Sequence, residues 1–244
     1  MPGILLLLAL LIGSLAPNHS SAAEIAPLPD ADRDGRELAM KLRDAFPDTA
    51  SSFTGLLQTV TKDDRVRRVP LRSEIVVTPT NWIARYESVA TNGIPGERLV
   101  ITHTVGKSNR YERWINGTNA PVGALETLFA GSDFSVIDLG LEFLHWPKQR
   151  RLGHEMRHSR SCHILESTNP SPSATGYARV KSWVDIENGG IVRAEAYDRA
   201  SGEIKFFKVD GVGKKDGRWQ VESVEIRSKR TGQETKLIFD AKSE

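Results

Sequence analysis

Runs of alternating apolar and polar residues, each closed by turn chemistry, constrain this chain more than any other feature. Trp82, Ala84 and Tyr86 alternate with Ile83, Arg85 and Glu87, and Leu99, Ile101, His103 and Val105 alternate with Val100, Thr102 and Thr104. A side-chain period of two marks a strand with one buried face. Turn residues separate the runs at Asp63-Asp64, Asn92-Gly93, Pro95-Gly96, Lys107-Ser108-Asn109 and Asn116-Gly117. Further runs fall at about 149–157, 160–167, 177–187, 190–198, 203–211, 218–228 and 233–240. Connections this short require antiparallel neighbours. A phase change near Glu222-Ser223 predicts a bulge or a strand apolar on both faces.

Two segments break the pattern. Leu38, Leu42 and Phe46 recur at helical spacing from Asp34 until Pro47. Between Pro121 and Trp146, Phe134, Ile137, Leu141 and Leu144 share one helical face, with Asp133 as the expected N-cap. Val136, Leu139 and Phe143 make that helix apolar on several sides, which predicts burial. A sheet of roughly a dozen twisted strands must curl or split, and a curl wider than eight strands leaves a void to be filled. The expected fold class is therefore mainly β: a curved antiparallel meander whose void is plugged by the N-terminal and central helices.

The N-terminus predicts export. Ile4 to Ile12 is an unbroken apolar run of nine residues, followed by Ser20-Ser21-Ala22-Ala23. The run is too short for a membrane span, which needs ~20 residues, and suits a secretory signal. Residues 1–23 are expected to be a signal peptide cleaved near Ala22 or Ala23, residues 24–33 a flexible tether, and residues 34–244 a single domain. The n-region Met1-Pro2-Gly3 lacks Lys and Arg, so the start lies upstream or the signal is atypical.

Composition excludes several classes. With 33 basic and 31 acidic residues the net charge is +2, without the basic excess of a general nucleic-acid binder. The single cysteine, Cys162, excludes an intrachain disulfide and Cys-rich zinc modules. His154-Glu155-Met156-Arg157-His158 matches H-E-x-x-H, but its flanks are polar. On a strand the two histidines would stand ~13 Å apart, too far to share one zinc. Cys162 and His163 face opposite sides of a strand, so no thiolate–imidazole pair forms. The basic groups Arg65, Arg67, Arg68, Arg72 and Lys148, Arg150, Arg151 read as solvated loop charge or as a patch for an anionic membrane surface. No enzyme, cofactor or metal is expected.

The residues from Gly131-Ser132-Asp133-Phe134-Ser135 onward carry a resemblance. Trp183-Val184-Asp185, Ala194 to Asp198, Lys205 to Lys208 and Thr231 to Phe239 continue it. Over about 128–240, and more loosely from Phe53, the chain resembles the outer-membrane lipoprotein-sorting family, the LolA/LolB-like carriers. That resemblance implies a curved antiparallel sheet forming a half-open barrel, with the N-terminal and central helices as a lid, in a periplasmic monomer whose apolar cup takes a lipid or the acyl chains of a lipoprotein. It also implies an inner-membrane transporter and an outer-membrane acceptor as partners, and an arginine that locks the lid, for which Arg85 is the candidate. Alternation and helix face nominate Trp82, Tyr86, Leu99, Ile101, Phe134, Ile137, Leu141 and Phe206 as the lining. The alternative is a periplasmic sensor or protein-interaction module with the same fold and no lipid cargo.

Overall fold

The computed structural model describes residues 30–91, 93–157, 160–215 and 218–239. Helix α1 (Ala31–Arg43) precedes strands β1 (Ser51–Val60), β2 (Val66–Val77), β3 (Asn81–Ser88), β4 (Glu97–Thr104), β5 (Arg110–Ile115) and β6 (Thr118–Ala120). A one-turn helix α2 (Val136–Leu139) and a 3-10 turn (Glu142–His145) follow. Then come β7 (Lys148–Arg157), β8 (Arg160–Thr168), β9 (Arg179–Asp185), β10 (Ile191–Tyr197), β11 (Glu203–Lys215), β12 (Arg218–Ser228) and β13 (Gln233–Phe239).

All thirteen strands form one sheet in the order β6-β5-β4-β3-β2-β1-β13-β12-β11-β10-β9-β8-β7. Two meanders, β1–β6 and β7–β13, are joined by antiparallel pairing of the first strand with the last, from Gly55 opposite Phe239 to Val60 opposite Glu234. The sheet curls without closing into a barrel. Because β6 and β7 lie at opposite edges, the connection 121–147 has to cross the hollow side to get from one to the other. The lid is thus a consequence of strand order.

Local chemistry explains the hairpins and the alternation. Asn116 and Gly117 both take positive φ, 48° and 79°, as a two-residue I′ turn between β5 and β6 requires. Buried and half-buried residues alternate along the whole of β4. Asn92, His158 and the expected signal peptide lie outside the described residues.

Several expectations are corrected. Helix α1 starts at Ala31 rather than Asp34, so it takes in the end of the segment expected to be a tether. Its buried face is Gly35, Ala39 and Leu42, while Phe46 lies beyond the helix and is 36% exposed. Small residues let α1 sit on β7: a Cβ at Gly35 would stand 2.5 Å from the Cα of Arg150. Arg150 and Arg151 are not free for a membrane, since they pair with Asp32 (3.0 Å) and Asp34 of α1. At its other end Asp44 accepts the Gly106 N–H at 3.2 Å, so α1 spans from the β7 edge to the β4–β5 turn. Arg65 pairs with Asp63, and Arg67 donates to the Gly131 carbonyl of the insert.

The long central helix expected over 133–146 is only the single turn of α2 and the 3-10 turn. Leu141 between them takes a left-handed φ of 48°, which breaks the helix. Its N-cap is Ser135 rather than Asp133: the Asp138 carboxylate accepts the Ser135 N–H (2.8 Å) and its hydroxyl (2.5 Å). The predicted burial holds, with Val136, Ile137, Phe143 and Leu144 all at most 4% exposed. The bulge expected near Glu222-Ser223 is present: the register skips Glu222 on β12, and it also skips Asp210 on the facing strand β11. His154 to Arg157 lie on β7, so the helix that H-E-x-x-H requires is replaced by a strand there.

Candidate functional site

Register shows which side chains reach the hollow side. Trp82 pairs with His103, Ala84 with Ile101 and Tyr86 with Leu99, so all six point the same way from β3 and β4. On the other wall Ala194 pairs with Phe207 and Ala196 with Lys205, and Phe207 pairs with Ile226. Between these walls, beneath Phe134, Leu141 and Phe143 of the insert, lies a cavity of about 70 Å³. Its lining is mainly hydrocarbon and aromatic, with Lys205, Asp138, Tyr177 and His103 as its polar members.

Those polar groups bind the insert to the sheet. The Lys205 ammonium is buried and donates to Asp138 Oδ2 (2.8 Å), the Asp133 carbonyl (2.9 Å) and Ser135 Oγ (3.4 Å). Tyr177 donates its hydroxyl to Asp138 Oδ1 at 2.9 Å. The Asp133 carboxylate accepts hydroxyls from Thr231 (2.7 Å) and Thr235 (3.1 Å), and burial pushes its pKa up despite them. At the far edge, Glu97 accepts the Ala130 N–H (2.8 Å) and the Arg113 guanidinium (2.7 Å). Tyr111 donates to Glu142 at 2.6 Å and Asn109 to the Gly140 carbonyl at 2.9 Å; burial raises the Glu142 pKa.

His103 stacks on Trp82 at 3.8 Å between ring centres. Burial, with His145 nearby, lowers its pKa to about 3, so it is a neutral ring in the cavity wall. His145 is held at about 4, first by burial and then by Arg43. These bonds position a covering segment, and the space they enclose suits hydrocarbon.

The nominated residues divide into three groups. Trp82, Tyr86, Phe134 and Leu141 border the cavity. Leu99, Ile101 and Ile137 share its side of the fold but are sealed in the core, at 0%, 0% and 3% exposure. Phe206 borders the cavity, but its ring lies against Arg193 (5.1 Å) and Arg227 (5.6 Å). In register it matches Glu195 of the outer face, so the ring β11 offers to the hollow side is that of Phe207. Arg85 pairs with Glu74 at 2.9 Å, and the cation that grips the insert from within is Lys205. His103 and Phe207 were missed, although His103 is in phase with Leu99 and Ile101. Two adjacent phenylalanines carry no such signal, and Lys205 disguises the inward phase of β11.

At about 70 Å³ the cavity is well below the ~300–1,000 Å³ typical of ligand pockets. A hydrocarbon chain needs more room than this, and the insert, which borders the cavity through Phe134, Leu141 and Phe143, is the segment placed to give it.

Comparison with solved structures identifies the fold. A DUF1329 family protein from Desulfovibrio piger matches with a TM-score of 0.70 at 18% identity, over 86% of this chain and 91% of that one. An outer membrane lipoprotein-sorting protein domain from Vibrio parahaemolyticus matches with a TM-score of 0.68 at 15% identity, over 86% and 91%. A LolA superfamily protein from Nitrosomonas europaea matches with a TM-score of 0.55 at 16% identity, over 86% and 92%. A family model described as "Uncharacterized protein" matches residues 120–243. No curated protein matches the sequence. Among the described residues, no helix is long and apolar enough to cross a membrane.

Proposed function

The chain belongs to the family whose model covers residues 120–243, and from that premise and its LolA-like fold we propose a non-enzymatic, periplasmic carrier of a lipid or of lipoprotein acyl chains. Residues 1–23 are its leader, and the rest of the chain works as a monomer on the hollow side of its sheet. An inner-membrane transporter and an outer-membrane acceptor would load and unload it.

The observation that carries this reading is an apolar cavity covered by a segment held on by polar contacts. Burying ten methylenes gives about 8 kcal/mol at ~0.8 kcal/mol each. A buried charged hydrogen bond contributes about 1.5–3 kcal/mol net, so a chain of that length can offset the loss of several ties. Exchange of ties for hydrocarbon is therefore energetically balanced, as a reversible carrier requires.

The test is native mass spectrometry of gently purified protein, followed by uptake of a fluorescent fatty acid. Lipid should co-purify, and Leu141→Glu should lose both the lipid and the uptake with its far-UV circular dichroism unchanged. Lipid-free protein that takes up no chain would refute the carrier. The small volume of the cavity favours the second reading, a sensor or protein-interaction module, which a captured peptide in place of lipid would support.

A further inference from the structure

We infer that His154 and His163 form a two-histidine site for a divalent transition-metal ion of the zinc, copper and nickel class, on the β7–β8 hairpin beside α1. The two residues are paired directly across the hairpin, so their side chains leave the sheet on the same side. Their ring centres are 6.0 Å apart with the planes inclined at 65°. At the usual Zn–N distance of ~2.0–2.1 Å a ring centre lies about 3 Å from the ion, so two rings on one ion stand about 5–6 Å apart. The pair already holds that spacing.

A second observation points to a ligand. His163 Nδ1 is buried without a hydrogen-bond partner, an unmet demand on a ring whose centre lies 6.0 Å from another imidazole. His154 is exposed, which gives an ion a route in from solvent.

The groove lined by His163 also holds Asp34, Glu37, Lys41 and Arg151. Asp34 is engaged by Arg151, so the two histidines supply the protein's nitrogen ligands and water fills the open positions. Imidazole ligation selects the zinc, copper and nickel class over calcium or magnesium. The site is distinct from the H-E-x-x-H reading, because its two ligands come from neighbouring strands rather than from one helix.

The experiment is a zinc chloride titration of the chain carrying no histidine tag, by calorimetry and by NMR of the histidine ring protons. One equivalent should bind, with the His154 and His163 signals shifting together. His154→Ala and His163→Ala should each abolish the saturable binding, and His158→Ala should retain it. His154 is exposed, so its variant remains decisive if the His163 variant fails to fold. Absence of saturable binding, binding that survives His154→Ala, or binding lost only in His158→Ala would overturn the proposal.

Discussion

The Lys205 ammonium lies 2.8 Å from the Asp138 carboxylate, and the pair joins the inner face of β11 to the one-turn helix of the covering insert. Both side chains are largely buried, at 10% and 16% exposure, so the pair lies in a medium where a lost partner is costly. Removing Lys205 leaves Asp138 with Ser135 and Tyr177, and leaves the Asp133 carbonyl without its ammonium donor. Lys205→Met is expected to destabilise the fold by about 3 kcal/mol, the lower end for breaking a buried pair. Urea unfolding measures the loss, and hydrogen exchange should speed up over residues 121–147 more than in β1–β4. Equal acceleration throughout would show that the pair supports the whole domain rather than the insert.

Acid should weaken the protein through His103. Its folded pKa of about 3 lies below the ordinary 6.5, so below pH 6.5 the unfolded chain binds a proton that the folded one refuses. The stabilising difference is complete above pH 6.5 and is lost as pH falls toward 3, at roughly 1.4 kcal/mol per pH unit. Asp133 and Glu142 act in the opposite direction, because their raised folded pKa values favour proton uptake by the native state. The comparison of wild type with His103→Asn isolates the histidine. Urea midpoints of the wild type should fall more steeply between pH 6.5 and pH 4, and parallel curves would dismiss the effect.

The two neighbouring phenylalanines of β11 should separate by function. Phe207→Ala removes a ring from the cavity wall and should weaken fatty-acid uptake more than tenfold, since a buried aromatic side chain accounts for about 1.5–3 kcal/mol of apolar burial. Phe206→Ala removes a ring held between two arginines on the outer face and should leave uptake near wild type. Fluorescent-chain titration decides, and equal losses would reject the facing assigned from register.

Much of this fold was legible because strand alternation is a local signal. Trp82, Tyr86, Leu99 and Ile101 could be placed on one face from their spacing, and Asn116-Gly117 announced a hairpin. The insert was harder to read because its apolar residues are buried on several sides, so helical and irregular backbone leave the same hydrophobic pattern. Its true cap, Ser135 with Asp138, lies two residues beyond the expected Asp133, which serves instead as an acceptor for Thr231 in the β12–β13 turn and Thr235 of β13. Lys205 was illegible as a site residue because a lysine on a strand reads as solvent-facing. Its inward position depends on partners about seventy residues away in sequence, which no local pattern encodes.

The pairing of β1 with β13 has a consequence for how the molecule is made. Contacts between the two ends of a chain form late and slowly, because a large loop must close before they reward the search. Until the C-terminal strand arrives, β1 presents an unsatisfied backbone edge along Gly55–Val60, open to mispairing with another chain. A chain that emerges from its N-terminus first carries that edge uncovered until its last strand is added, so the β1–β6 meander is complete before the strand that seals it exists.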